Sequence, residues 1–400
     1  MRRRRRRRLG LLFLLLLGLA IYELPYWSAG LVRRGLEGLF HRPASVGAVR
    51  FHLLPFEAEL VDVRVEGATP GAPPSFEVPR MWVSPSLGSL FSSRIVLSRV
   101  RLQGPKIRIH AYPEGGDDIP PIGGSSGGGG PEVRIHRLTI EGGEFELNHA
   151  RVPLELDLPD FHGRLLGGRG GSLSGKIAFG PGRLRFGGAP AFTVGTDINL
   201  QLEGSSLTLE PSRVYTGKTD IIYSGKIHLA KDPVGLLQMD GPADLEELDS
   251  HVFETGFGLK GDARFSGTLS INGPRLGIQG HFRGTRGAFL GVPVDSFVSS
   301  LDWGEKGTDL KGLQIATLGG HATLNIHVPK DPGPAHLDAD LHEVDAEKVL
   351  IPLFGIGAAG IGASATGPIA LDWPKGHMRG LSGRMDLDLS PNPDGRTPLS

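Results

Sequence analysis

Apolar and polar residues alternate along most of this chain with a period of two residues. The alternation is clearest in six segments: Val152 to Leu158, Ile198 to Leu202, Leu276 to Phe282, Ala322 to Val328, Ala335 to Leu341 and Met385 to Leu389. This pattern is typical of β-strands with one apolar face and one solvated face. Turn sequences such as Asn272-Gly273-Pro274 separate the segments. The pattern predicts an all-β body of roughly 20 to 25 strands, mainly antiparallel.

Two short segments interrupt the strand pattern and predict helices. One begins at Asp244 and continues to about Phe253, and the other begins at Asp345. Each aspartate stands where its side chain can cap the first helical turn. A glycine-rich stretch and then a strand follow each segment. Because the two segments start about 100 residues apart, they predict an internal repeat of a helix plus several strands, beginning near residues 244 and 345.

Residues 28–42 follow a helical period. The apolar face of this predicted helix consists of Leu31, Val32, Leu36, Leu39 and Phe40. Its polar face carries Arg33, Arg34 and Glu37. Two interpretations remain open: the helix lies on a membrane surface, or it caps the start of the sheet.

The N-terminus begins with seven consecutive arginines, Arg2 to Arg8, followed by an apolar stretch from Leu9 to Tyr22. A membrane-spanning helix needs roughly 20 residues, and continuing the stretch to Trp27 reaches that length. Tyr22, Tyr26 and Trp27 would form an interfacial aromatic belt, and the arginines would stay in the cytoplasm. We therefore expect a cytoplasmic tail over residues 1–8, a transmembrane signal anchor over 9–27, and an exported body. The alternative is a cleaved signal peptide.

Composition narrows the possible functions. The chain has no cysteine, which excludes a disulfide framework, thiolate metal sites and a cysteine nucleophile. Basic and acidic residues number 43 each, and without the seven leading arginines the body has 36 basic residues against 43 acidic ones. This acidic balance argues against nucleic acid as a partner. Residues 113–131, rich in proline, glycine and serine, predict a flexible loop.

Motifs that would indicate an enzyme are not convincing. Residues 256–261 and 355–360 match G-x-G-x-x-G, but a dinucleotide fold needs a strand before that motif and a helix after it. Here a helix precedes and strands follow. The 14 histidines are scattered, without metal-ligand spacing. We expect no enzymatic activity, no catalytic residues, no cofactor and no metal site.

The predicted sheet must hide its apolar face in a second sheet, a closed barrel or a curled trough. Few helices remain to cover it, and aromatic residues make up only 7% of the chain, so the apolar face is mostly aliphatic. An aliphatic trough suits acyl chains, since burial contributes about 0.8 kcal/mol per CH₂. The alternative is a closed core that binds nothing. The candidate lipid-facing residues are Val152, Leu154, Leu156, Leu158, Ile198, Leu200, Leu202, Leu276, Ile278, Phe282, Leu324 and Ile326.

The residues after the predicted anchor carry a family resemblance. The segments concerned are Arg42 to Phe51, Leu54 to Phe56, Leu60 to Val65, Phe76 to Val83, Leu87 to Ile95, Val100 to Ile109 and Val133 to Leu147. This succession resembles the N-terminal region of the AsmA-like superfamily, which includes TamB-type translocation and assembly module proteins. The resemblance covers Arg2 to about Leu158 well and extends less specifically to about Trp373.

The resemblance implies a protein anchored in the inner (plasma) membrane by a single pass, with a periplasmic body over residues 43–400. The implied fold is a long, curled, mainly antiparallel β-groove (β-taco) lined with apolar side chains. The implied function is phospholipid transport between the inner and outer membranes in support of outer-membrane biogenesis, with acyl chains and the outer-membrane assembly machinery as partners. The alternative is a scaffold that assembles outer-membrane or autotransporter proteins by strand addition. TamB members run much longer, so the chain is a fragment or a short member.

Overall fold

Most of the described chain forms β-strands, whose side chains alternate between two faces of a sheet. A computed structural model describes residues 29–30, 32–38, 40–53, 56–69, 71–86, 95–112, 133–150, 154–186, 189–230, 232–253, 258–289, 291–317, 319–349, 362–375 and 380–391. Within them the chain is almost entirely β-strand with a few short helices, which confirms the all-β prediction. None of the helices in these ranges has the length and hydropathy to cross a membrane. The predicted tail, anchor and loop 113–131 lie outside the described residues.

The described residues form 22 strands, a number within the predicted range. They are β1 Ala44–Leu53, β2 Phe56–Val65, β3 Phe76–Pro85, β4 Ile95–Gln103, β5 Lys106–Ala111, β6 Val133–Ile135, β7 Arg137–His149, β8 Leu154–Gly167, β9 Leu173–Phe186, β10 Phe192–Glu203, β11 Ser206–Tyr215, β12 Asp220–His228, β13 Val234–Asp244, β14 Lys260–Asn272, β15 Arg275–Phe289, β16 Val292–Gly304, β17 Gly307–Thr317, β18 Gly320–Pro329, β19 Pro334–Asp345, β20 Ala363–Pro374, β21 Ser382–Met385 and β22 Asp388–Pro391.

Short helices punctuate the strands. Residues 32–38 are helical (α1), Leu245–Leu248 form α2, and residues 346–349 form α3. A π-helical turn, Asp249–Phe253, follows α2 directly, and a 3₁₀ turn occupies Arg169–Gly171.

The chain divides into two compact units. The first unit comprises Met1–Arg151, Glu155–Gly182 and Asn199–Ser205. The second unit comprises Val152–Leu154, Arg183–Ile198 and Ser206–Ser400.

The sheet is mostly antiparallel, as predicted, and the first unit contains the exception. The strands β1 to β4 pair antiparallel in sequence order. The strands β4 and β5, however, pair parallel with β6 and β7, with Ile95 opposite Val133 and Lys106 opposite Glu144. Parallel neighbours cannot be the two strands of a hairpin, so β5 and β7 are not hairpin partners. Alternation within a strand is the same for either direction of pairing, which is why the sequence pattern did not reveal this.

The first unit has its own apolar core. Its buried members are Val49, Leu60, Val63, Val78, Met81, Val100, Leu102, Ile140 and Phe161. The apolar side chains of Ala29, Val32 and Leu36 pack against this core, and the ring of Phe40 stacks on Phe76 with centroids 5.6 Å apart. These contacts favour the interpretation of the N-terminal helix as a cap on the sheet.

The second unit is built around an antiparallel meander. Each strand from β11 to β20 pairs with the next, and β20 also pairs with β21 and β22. The two helices α2 and α3 are inserted between paired strands, β13 with β14 and β19 with β20. Both have the predicted aspartate cap: the Asp244 carboxylate accepts a hydrogen bond from the Glu247 amide at 2.9 Å, and Asp345 accepts one from the Lys348 amide at 3.3 Å.

Candidate functional site

The candidate site is the inner face of the second unit, where apolar side chains line up across the strands. Directly paired residues of an antiparallel sheet point to the same face, so each register position defines a row. The row that we call the central row runs from β11 to β18 and consists of Leu209, Gly225, Leu237, Leu269, Ile278, Trp303, Thr308 and Val328. Except for Thr308, every side chain in this row is apolar, although the strands are separate in sequence.

A neighbouring row marks one margin of this face. It consists of Leu207, Ile227, Gly235, Ile271 and Leu276 on β11 to β15, and we call it the rim row. Its four side chains are half-buried, whereas Leu209 and Leu237 of the central row are only 7% and 6% exposed. A β-carbon on Gly235 would lie 2.9 Å from Cγ1 of Ile227, so the Ile227 side chain covers that glycine. The rim row is therefore a continuous strip of partly accessible aliphatic surface.

The other side of the central row is a filled core. There Phe265 and Phe282 pack with ring centroids 4.9 Å apart, among buried leucine, isoleucine and valine side chains of β16 to β20. Leu245 of α2 and Val349 of α3 belong to the same buried cluster. An apolar cavity in this region, bordered by Phe289, Leu324 and Val349, has a volume of only about 60 Å³.

The predicted lipid-facing residues fall into two classes. Four are buried, with exposed fractions of 3% for Leu158, 4% for Phe282, 7% for Leu324 and 2% for Ile326. The half-buried ones are Leu154, Leu156, Ile198, Leu200, Leu202, Leu276 and Ile278. Val152 lies outside the described residues. The structure thus brings Leu276 and Ile278 into the rim and central rows, and it places Leu324 and Ile326 inside the packed core.

Several residues of the two rows were missed at the sequence level. The missed apolar members are Leu207, Leu209, Ile227, Leu237, Leu269, Ile271, Trp303 and Val328. Alternation is visible at Leu207 and Leu209 and at Leu269 and Ile271, but it is short in both places. In β12 and β13 the inner-face positions next to Ile227 and Leu237 are Gly225 and Gly235, which hides the period.

One polar group of the inner face is satisfied internally. The Tyr223 hydroxyl lies 3.0 Å from Thr196 Oγ1, and that oxygen donates to the Arg213 carbonyl at 2.8 Å. Since the threonine proton is used, Tyr223 is the donor of the first bond. Burial raises the pKa of Tyr223, which keeps the phenol neutral on the inner face.

The outer face of the second unit carries the charged side chains. Nε and Nη2 of Arg213 donate to the two carboxylate oxygens of Asp220 at 2.7 Å each, which lowers the pKa of Asp220. His336 Nδ1 lies 2.8 Å from Asp372, and this contact raises the pKa of His336. Among the residues that the structure describes, no group of three histidine or acidic side chains is arranged to hold a metal ion. The charged side chains therefore lie on the face opposite the apolar rows, as the alternation predicts, although Ile222, Leu236 and Val298 are exposed on this outer face as well.

A clamp on the β11–β12 turn was not predicted. The Glu247 carboxylate of α2 accepts hydrogen bonds from the Lys218 amide at 3.1 Å, from the Thr219 amide at 3.2 Å and from the Thr219 hydroxyl at 3.0 Å, and also from the Thr216 hydroxyl. This carboxylate fixes α2 to the turn and so holds Leu245 over the buried end of the inner face.

This geometry defines a class of protein: a nearly all-β chain whose antiparallel sheet in the second unit has one aliphatic face, buried at one end and half-accessible at its rim. No protein-family model matches the chain, and no curated protein or solved structure matches it either.

Proposed function

We propose that this chain is an exported, membrane-anchored β-groove protein that binds phospholipid acyl chains along its apolar inner face. In this role it supports phospholipid transport between the inner and outer membranes and outer-membrane biogenesis. The observation that carries the proposal is the rim row, a strip of aliphatic side chains left half-buried beside a packed core.

The physical basis is the hydrophobic effect without a specific pocket. Strands lie about 4.8 Å apart, so the rim row from β11 to β15 is about 19 Å long. An acyl tail lying along it removes apolar surface from water on both partners, and each buried CH₂ contributes about 0.8 kcal/mol. The binding strip is the rim row together with Ile278 and Leu269, because Phe282, Leu324 and Ile326 are covered by other side chains.

Two sequence features support the proposed membrane anchor and the proposed role in lipid transport. Residues 9–27 fit a membrane anchor preceded by arginines that would stay cytoplasmic. The segments between Arg42 and Leu147 resemble AsmA-like and TamB-type proteins. The anchor and the resemblance are both predictions from the sequence, and binding of acyl chains at the rim row can be tested without either of them.

Site-specific crosslinking in the full-length protein tests the proposal. A photo-crosslinking amino acid at Leu276, expressed in a Gram-negative host, is expected to capture phospholipid after irradiation. The same amino acid at Gln279, three residues along β15 on the outer face, is the matched control and should capture little. Ile271→Asp, opposite Leu276, should suppress capture, whereas Ser270→Asp on the outer face should not. Equal lipid capture at Leu276 and Gln279 would refute an apolar binding strip.

A second candidate function is a scaffold that adds strands to outer-membrane proteins. The favouring observation lies at β21 and β22, which are four residues each and exposed at every position, with Met385 and Leu389 exposed by 40% and 52%. Exposed apolar side chains on a strand at the edge of a sheet suit pairing with another chain. Copurification of barrel-assembly machinery that is lost on Leu389→Lys, with no lipid captured at Leu276, would favour this function.

A further inference from the structure

A cleft on the first unit has a chemistry that the apolar face does not explain. It has a volume of about 420 Å³ and lies where β2, β3, β4 and β7 approach one another. Arg99, His136 and Arg137 contribute its basic side chains, and Glu57 contributes a carboxylate. Phe56, Pro85 and Leu166 supply apolar wall, and the Leu166 side chain is 49% exposed. The cleft is therefore amphipathic, with two permanent positive charges.

The parallel pairing of β4 with β7 places the two arginines side by side. Val100 lies opposite Leu138, so Arg99 and Arg137, each one residue earlier, share a register position. Side chains at the same position of adjacent strands point to the same face, and this is the outer face, since Val100 is buried in the core. Like charges directly opposite each other are destabilising in a sheet.

At other positions of the parallel pairing, oppositely charged side chains lie opposite each other. Lys106 lies opposite Glu144, with Nζ 2.7 Å from the carboxylate, and Arg108 lies opposite Glu146 at 3.2 Å. Arg101, two residues after Arg99 on the same face of β4, lies opposite Thr139 and forms an ion pair with Glu141, two residues further along β7, at 2.7 Å.

Arg99 and Arg137 lack such compensation. No carboxylate of the described residues lies within ion-pair distance, 4.0 Å, of either guanidinium. The only acidic side chain among the described residues that line the cleft, Glu57, accepts a hydrogen bond from the Ser84 hydroxyl at 3.1 Å.

We propose that this cleft binds the phosphate group of a ligand, with Arg99 and Arg137 as its donors. Guanidinium groups match phosphate geometry bidentately, and an anion between the two arginines removes their mutual repulsion. His136 is placed to donate a further hydrogen bond, and Leu166, Phe56 and Pro85 are placed to contact an apolar part of the same ligand. The proposal goes beyond acyl-chain binding, because the cleft belongs to the first unit and the rim row to the second. The phosphate can come from a lipid headgroup or from a soluble phosphate ester.

Binding measurements on the full-length protein in a non-ionic detergent test the site. The probes are short-chain phosphatidylglycerol, glycerol phosphate and the matching diacylglycerol, which has no phosphate. Arg99→Gln and Arg137→Gln should each weaken phosphatidylglycerol binding about tenfold, because each removes charge-assisted hydrogen bonds. Arg101→Gln is the matched control: it removes the same charge from the same face of β4, but from a residue already paired with Glu141. The affinity of the Arg101→Gln variant for phosphatidylglycerol should stay within about twofold of that of the unmodified protein.

The outcomes distinguish a lipid headgroup from a soluble phosphate ester, and two of them would contradict a phosphate site. Tighter binding of phosphatidylglycerol than of glycerol phosphate, reduced by Leu166→Ser, identifies a lipid headgroup. Equal affinities, unaffected by Leu166→Ser, identify a soluble phosphate ester. Diacylglycerol binding as tightly as phosphatidylglycerol, or equal losses in all three arginine variants, would overturn the phosphate site. Circular dichroism of each variant verifies its fold. Lipid capture at Leu276 is independent of this result, so either proposal can fail alone.

Discussion

The ring of Phe265 on β14 covers the backbone of Gly280 on β15. A β-carbon at position 280 would lie 2.6 Å from Cε2 of that ring and 2.6 Å from the Ser266 carbonyl oxygen. Gly267, the direct partner of Gly280, is covered by the same ring, with its Cβ position 2.7 Å from Cζ. The two glycines thus make room for one aromatic ring in the core of the second unit.

We expect Gly280→Ala to destabilise the protein by about 1–3 kcal/mol, the usual cost of overpacking a filled core. The measurement is denaturant unfolding of the full-length protein. Gly35→Ala in α1 is the control, since nothing lies within 4 Å of its β-carbon position and alanine favours a helix. A Gly280→Ala variant as stable as the unmodified protein would mean that Phe265 does not rest on this strand.

The distinction between core and rim can be measured with two truncations. Leu324→Ala should cost about 2–5 kcal/mol, because it leaves a cavity among buried side chains. Leu276→Ala in the half-buried rim row should cost about 1 kcal/mol or less, since water can fill the space. The free energies of unfolding of the two variants, measured in the same denaturant, show whether the rim row is packed less tightly than the core. Equal costs would show that the rim row is part of the core.

The hydrogen bonds accepted by the Glu247 carboxylate predict that its removal lowers the free energy of unfolding. Glu247→Ala should destabilise the protein by about 2–3 kcal/mol, because hydrogen bonds to a charged group contribute about 1.5–3 kcal/mol. Glu246→Ala on the same helix is the control: its carboxylate is exposed and lies 3.7 Å from Lys260. Unfolding curves of both variants test the clamp, and a similar small shift in each would contradict it.

His336 predicts a pH dependence with a definite sign. The hydrogen bond to Asp372 raises the pKa of His336 above its ordinary value of 6.5, and Asp338 at 3.1 Å acts in the same direction. Opposite His336 lies His327, which has its own partner, Asp309, at 2.7 Å. The stabilisation is therefore fully present below pH 6.5 and is lost as the pH rises through the raised pKa of the folded state.

The measurement is thermal unfolding of the unmodified protein and of His336→Gln across this pH range. The difference between them should be largest near pH 5.5 and shrink by about pH 8.5. Asp372→Asn should remove most of the same pH dependence. A difference that grows with pH would reverse the assigned direction.

Much of the fold could be predicted because alternation is a local property. The segments around Leu276 to Phe282 and Ala322 to Val328 are strands with the expected inner and outer faces, and Asp244 and Asp345 cap the helices assigned to them. The alternation also gave the correct range for the number of strands. Pairing direction was not accessible in this way, and β4 to β7 proved parallel.

The sequence by itself determined which residues share a face, because a strand turns successive side chains to opposite sides whatever it pairs with. It did not determine how deeply each apolar residue is buried. Leu276 and Ile326 have the same local pattern, yet one is half-buried in the rim row and the other is 2% exposed in the core. Nor did it show that Arg99 lies next to Arg137, because only the parallel pairing of β4 with β7 brings the two residues together. Burial and cross-strand proximity depend on distant parts of the chain, so the tertiary structure alone decided them.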